Sequence, residues 1–165
     1  MSTTKKPRKA YRPKHVNPGA WAIAMQGAML LSKTDQVTRA MRVHDSVERI
    51  SRGEHDMVDW RRLFDAVNML DALSSMPSVM RGGREFVERL MGVVADAVER
   101  QRDTGTRALR AGELQALREL SALWAEVLGV VTHREFFEAS ERVERTVARV
   151  LRGDVRAGER VVEAA

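Results

Sequence analysis

The sequence predicts an all-α protein, with about six helices in a mostly antiparallel bundle and a disordered basic N-terminal tail. Three observations predict it. Apolar residues recur at i, i+3, i+4 and i+7 through most of the 165 residues, which is the spacing of a single helix face. No segment alternates apolar and polar residues over the length of a strand, and the β-branched residues fall inside the helical stripes. Only four prolines interrupt the chain. A composition 44% hydrophobic and 31% charged, at this length, suits one folded domain around one core.

Residues 1–16, MSTTKKPRKAYRPKHV, combine Pro7 and Pro13 with dense positive charge and little apolar content, so they are read as a disordered arm. The bundle domain is assigned to 17–153 and a frayed segment to 154–165. Asn17 before Pro18 marks a helix start, since Asn caps free amides and Pro at the first helical position loses no hydrogen bond. That first helix, predicted to reach about Leu31, is apolar nearly all round: Trp21, Met25 and Met29 lie on one side, Ile23, Gly27, Leu30 and Leu31 on the other. Such a pattern predicts cover on both faces, either from the core or from a partner subunit.

Thr34 or Asp35 is predicted to cap a second helix that ends before Gly53, with Val37, Ala40, Met41, Val43, Val47 and Ile50 as its stripe. His55 or Asp56 opens a third, where Met57, Trp60, Leu63, Phe64, Val67, Leu70 and Leu73 trace a clear apolar face. Ser75, Pro77, Gly82 and Gly83 break the pattern. A fourth helix follows over 84–103 with Phe86, Val87, Leu90, Met91, Val94, Ala97 and Val98; a fifth runs from 107 or 111 to 130 on Leu114, Leu117, Leu120, Leu123, Trp124, Val127 and Leu128. Thr132-His133-Arg134-Glu135 reads as the capping box of a sixth. Its stripe is Phe136, Ala139 or Ser140, Val143, Val147 and Val150, with Glu138–Arg142 and Glu141–Arg145 as i, i+4 pairs. The short joint at Val131 and Thr132 predicts a hairpin of the last two helices.

Lys5, Lys6, Arg8, Lys9, Arg12 and Lys14 leave 22 of the 28 basic residues against 23 acidic ones in the rest of the chain. The positive charge therefore sits in the arm and the body is near neutral. With Tyr11 interleaved, the arm suits contact with phosphates and a stacked base, docking on an acidic protein face, or no specific role beyond solubility.

The chain has no Cys, which excludes disulfides, thiolate nucleophiles and Cys-bound zinc. No apolar run reaches the ~20 residues needed to span a bilayer. The stretch from Ala20 to Leu31 lacks the cleavage site of a signal peptide, and prolines sit in what would be its basic region.

Glu54, His55, Asp56 and Asp59 bunch potential metal ligands, but acids at a helix start also cap amides and complement the dipole; no metal or other cofactor is assigned. His44-Asp45 resembles the dipeptide of metal phosphohydrolases without the further histidines. There is no G-x-S-x-G, His15, His44, His55 and His133 are scattered, and Gly82-Gly83 lacks the following G-K-[ST] of a phosphate loop. Arg81, Arg84 and Arg89 could hold a phosphate at a helix start, or form an ordinary basic turn. Trp60 to Met91 makes a poor helix-turn-helix, with Val and Met where base-reading residues are needed. Arg152-Gly153-Asp154 is accounted for as a helix stop.

The arm KKPRKAYRPKHV and the segment DWRRLFDAVNMLDAL, with Trp60, Leu63 and Asn68, resemble uncharacterised helical proteins encoded by phages and prophages of proteobacteria. GELQALREL from Gly112 to Leu120, followed by the capped helix at Thr132, is similar in order and layout. The resemblance spans most of the chain and implies a mobile-element origin, a cytoplasmic location in a bacterial host and no catalytic residues. Asn68, polar beside the apolar stripe, is read as satisfied by a neighbouring helix or water, or as a partner contact. The expectation is a non-enzymatic accessory or regulatory protein that binds a protein or nucleic-acid partner, with no membrane association. The alternative is a self-associating structural protein, dimerising through its apolar first helix.

Overall fold

A computed structural model describes residues 18–153. They form six helices: α1 (Pro18–Ala28), α2 (Lys33–Ser51), α3 (Met57–Ser74), α4 (Arg84–Thr104), α5 (Ala111–Val130) and α6 (His133–Leu151). The all-α expectation holds, and the basic arm lies outside the described residues.

Four of the helices close a ring. α2 and α4 each pack against both α3 and α5, and α3 meets α5 across the middle. Side-chain links set the directions. Arg49 near the end of α2 reaches Asp59 at the start of α3 at 2.9 Å. Arg100 and Arg89 of α4 reach Glu113 and Glu119 of α5 at 2.6 and 3.1 Å. The Leu31 amide, just before α2, donates to the Val131 carbonyl, just after α5, at 3.3 Å. Each neighbouring pair is therefore antiparallel, and the core fills from Ile50, Leu63, Leu70, Leu73, Leu90, Leu117, Leu120 and Leu128, all fully buried. Burying one such side chain contributes about 1.5–3 kcal/mol.

The predicted hairpin of α5 and α6 does not form. α6 packs on α3 and α1 instead, and the link to α5 is a ring contact of Phe136 with Trp124 at 6.5 Å. The cause is the joint itself. Val131 and Thr132 are both extended, with ψ of 136° and 161°, and they run beside Leu30 and Leu31 as an antiparallel bridge. The His133 amide donates to the Met29 carbonyl at 2.9 Å, and Val131 and Leu31 are buried. An extended, anchored joint carries the chain off α5 before α6 begins. Arg142 then hydrogen-bonds Ser75, and Ser78 donates to Glu135 at 2.7 Å, so α6 runs antiparallel to α3.

Other boundaries shift for local reasons. α1 stops at Ala28, short of Leu31, because Leu30 and Leu31 are taken by the bridge. Ser32, not Thr34 or Asp35, caps α2, accepting from the Asp35 amide at 3.1 Å. The Thr132 capping box forms as expected, with the Glu135 amide donating to Thr132 Oγ1 at 3.2 Å and the Thr132 amide to Glu135 at 3.0 Å. Glu138 pairs with Arg134 at 2.8 Å rather than with Arg142, which Ser75 draws away. Val37, Met41 and Met57, members of the predicted stripes, are about half exposed; Met41 lines the groove between α2 and α5.

α6 is peripheral: its one fully buried residue is Ala139, and among the described residues α6 is the helix that α1 packs on. Local stability follows buried apolar contact. Native-state hydrogen exchange is therefore expected to release α1 and α6 amides well before those of α3 and α5. Equal protection of α6 and α3 would show that the six helices unfold as one unit.

Candidate functional site

Several of the exposed large apolar side chains among the described residues lie on α1 and around the bridge. Pro18–Ala28 contains no charged residue. Ala24, Gly27 and Ala28 line a shallow cleft with Thr132, Arg134, Glu135 and Glu138. A Cβ on Gly27 would stand 3.4 Å from that of Arg134, so the small residues of α1 let it lie close against α6. Outside that contact, α1 and the two residues after it keep large apolar side chains in solvent. Ile23 is 73% exposed and Met29 63%, with Met25 and Leu30 about half exposed. Phe137 of α6 and Val130 of α5, flanking the same bridge, are also more than half exposed. Among residues 22–31 the chain itself therefore supplies only part of the cover expected for α1, from either the core or a partner subunit. A contiguous exposed apolar surface on a folded chain marks an interaction site.

The structure divides the acidic cluster before α3 into separate tasks. Asp56 Oδ1 accepts from the amides of Val58 and Asp59 at 2.8 and 3.2 Å, and Asp59 Oδ2 accepts from the Asp56 amide at 3.2 Å, completing a capping box. Asp59 is buried and also accepts from Ser46 Oγ at 3.1 Å and Arg49 Nε at 2.9 Å. Burial pushes its carboxyl up, but the Asp56 amide, Arg49 and Ser46 outweigh that and hold it below the ordinary value. His55 turns away toward Gln101 of α4, at 3.1 Å. Among the described residues no group of three or more His, Asp or Glu is arranged to hold a metal ion.

A second ion pair, this one largely buried on both sides, ties α4 to α5. Arg100 donates from Nε and Nη2 to the two Glu113 oxygens at 2.9 and 2.6 Å, and Glu113 accepts the Arg110 amide at 2.7 Å. Burial raises the Glu113 carboxyl; Arg100 and the Arg110 amide more than offset it, lowering it overall.

Asn68 faces α6. It lines a polar cavity of about 40 Å³ with Asp71, Arg142, Val143, Thr146 and Val147, a space of water size. Burial raises the Asp71 carboxyl, and Arg84 and Arg142 only partly counter it. Arg84 and Arg89, read as a phosphate seat, are engaged by Glu88 at 2.8 Å and Glu119 at 3.1 Å, and Arg89 also covers the Phe86 ring. The second helix of the helix-turn-helix reading, α4, turns Val87, Leu90, Met91 and Val94 into the core. His44 lines the α2–α5 groove with Glu48 and Arg118, while Asp45 faces solvent. The arm residues Lys5, Lys6, Arg8, Lys9, Tyr11, Arg12 and Lys14 lie outside the described residues.

Sequence reasoning identified α1 as apolar and in need of cover, from the core or a partner, but not how much of it the chain itself would leave exposed. It missed the Arg100–Glu113 pair, because residues on successive helices carry no spacing that announces their meeting. Among the described residues, no helix is long and apolar enough to cross a membrane. In comparisons with family models, curated proteins and solved structures, the chain matches none.

Proposed function

We propose that this chain is a non-enzymatic accessory protein of a phage or prophage that acts by holding a protein partner against the open face of α1. The observation that carries the reading is the exposure of Ile23 and Met29, 73% and 63%, beside an uncharged helix. Apolar side chains left in water this way gain when a partner covers them. Affinity capture from the host, comparing the full chain with an Ile23→Glu/Met29→Glu variant, tests it. A partner bound by the first and lost by the second supports the proposal. An identical set of captured proteins contradicts it.

Self-association is the second reading. Two uncharged α1 faces can meet without like-charge repulsion, whereas charged faces could not. Sedimentation equilibrium at high concentration distinguishes it: a dimer that the same variant dissolves supports the second copy as partner, and a monomer removes it.

The basic arm supplies a separate expectation. If its six positive charges contact phosphates, log affinity for DNA falls with log salt at a slope of roughly −5. Deleting residues 1–15 is expected to abolish both the binding and the slope, and unchanged affinity would remove nucleic acid as the partner of the arm.

A further inference from the structure

Where the turn into α3 faces the last turn of α4, the chain forms a cleft of about 330 Å³, lined by His55, Met57, Trp60, Val98, Gln101 and Arg107 among others. Met57, Trp60 and Val98 make its wall apolar. Its polar groups are held in a chain of hydrogen bonds whose sense can be read from one fixed end. Gln101 Nε2 donates to the Arg107 carbonyl at 3.1 Å, which leaves Gln101 Oε1 facing His55 Nε2 at 3.1 Å. A carbonyl oxygen only accepts, so His55 Nε2 carries the proton. In the neutral ring Nδ1 is then a bare acceptor. It is buried and has no hydrogen-bond partner among the described residues, while the whole residue is 8% exposed. The ring is steadied edge-on against Trp60, centroids 5.7 Å apart. A buried acceptor left unmet is unfavourable, and a donor brought to it is rewarded.

A cation at the same cleft is also uncommitted. Arg107 makes one long contact, to the Gly53 carbonyl at 3.4 Å, and no carboxylate among the described residues lies within ion-pair distance of it. Arg102 leans on Asp103 at 3.5 Å and Glu99 at 3.9 Å. Asp56, the acid of the cleft, is engaged with the Val58 and Asp59 amides.

We propose that this cleft binds a small amphipathic carboxylate: an apolar ring against Met57, Trp60 and Val98, a hydroxyl or N–H donating to His55 Nδ1, and the carboxylate on Arg107. Nδ1 is covered in the free protein, so entry requires a side-chain movement; Met57, unbranched and half exposed, is suited to give way. The site stands apart from α1 and does not depend on what docks there.

The test is long-range proton–nitrogen NMR of the histidine rings in the full chain, titrated with 4-hydroxybenzoate, which carries both a donor and a carboxylate. In the free protein the His55 ring is expected to show protonated Nε2 and bare Nδ1. The probe is expected to move the Nδ1 signal saturably. Benzoate, lacking the donor, and phenol, lacking the charge, are expected to bind at least about tenfold more weakly. Arg107→Gln, at an exposed position, is expected to bring 4-hydroxybenzoate down to the phenol level with an unchanged melting temperature. The proposal is overturned by a proton on Nδ1 in the free ring, by no saturable response at millimolar probe, by benzoate binding as tightly as 4-hydroxybenzoate, or by undiminished affinity in Arg107→Gln.

Discussion

Replacing Asp59 by alanine is expected to destabilise the fold by about 2–4 kcal/mol, lowering the melting temperature by roughly 10 °C. Asp59 is nearly inaccessible, and three groups hydrogen-bond to it, Ser46 Oγ at 3.1 Å, Arg49 Nε at 2.9 Å and the Asp56 amide at 3.2 Å, while the half-exposed Arg62 pairs with it at 3.6 Å. Ser46 is completely buried, so the substitution leaves its hydroxyl without an acceptor where water does not reach. It also opens half of the capping box, a loss of order 1 kcal/mol by itself. Arg49, about half exposed, turns to water at little cost, which keeps the estimate below that for a fully buried ion pair. Urea unfolding followed by circular dichroism measures the difference. A loss under about 1 kcal/mol would mean that the end of α2 rearranges to satisfy Ser46.

The same residue gives the sign of an acid response. Its folded-state carboxyl lies below its ordinary value of 3.8, so its contribution is fully present above that value and is lost as pH falls through the depressed folded one. The gap between wild type and Asp59→Ala is therefore expected to be constant near neutrality and to narrow at pH below about 4. Glu113 and Glu135, also lowered, act in the same direction. A gap that stays constant down to pH 2 would show that Asp59 stabilises by shape rather than by charge.

The second large effect concerns binding. Ile23→Glu/Met29→Glu is expected to weaken partner binding by about 3–4 kcal/mol, roughly 100- to 1,000-fold, while leaving the melting temperature within about 2 °C. Both side chains are mostly in water in the free chain, so folding loses little. In a complex the same positions would place carboxylates against an apolar partner and leave them unpaired. Calorimetry against the captured partner, or sedimentation if the partner is a second copy, supplies the number. Binding within threefold of wild type would move the interface elsewhere, and a large drop in melting temperature would show that α1 contributes more to the bundle than its exposure implies.

Much of the architecture was legible in the chain because it depends on neighbours in sequence. The faces of α3, α4 and α5 follow from residues three and four apart, and the caps at Asp56 and Thr132 are closed by residues three positions on. Signals of equal locality were also present at Ser32-x-x-Asp35, although the cap there was assigned to Thr34 or Asp35. What could not be read locally was which face of an all-round apolar helix is covered. Met57, Val37 and Met41 belong to regular stripes yet are about half exposed, since a stripe says that a face is apolar and not how wide the neighbouring helix is.

The sequence by itself determined the helices, most of their ends and the concentration of positive charge in residues 1–16, because propensity, capping and charge count act over a few residues. The course of α6 was decided only by tertiary structure. At the extended joint the Val131 carbonyl accepts from the Leu31 amide and the His133 amide donates to the Met29 carbonyl, about a hundred positions earlier, and that pairing turns α6 away from α5 and onto α3. It also leaves α1 resting on α6, with Ile23 and Met29 facing water. A hydrogen bond across so long a loop closes only once the four-helix ring has brought the two joints to the same end of the bundle.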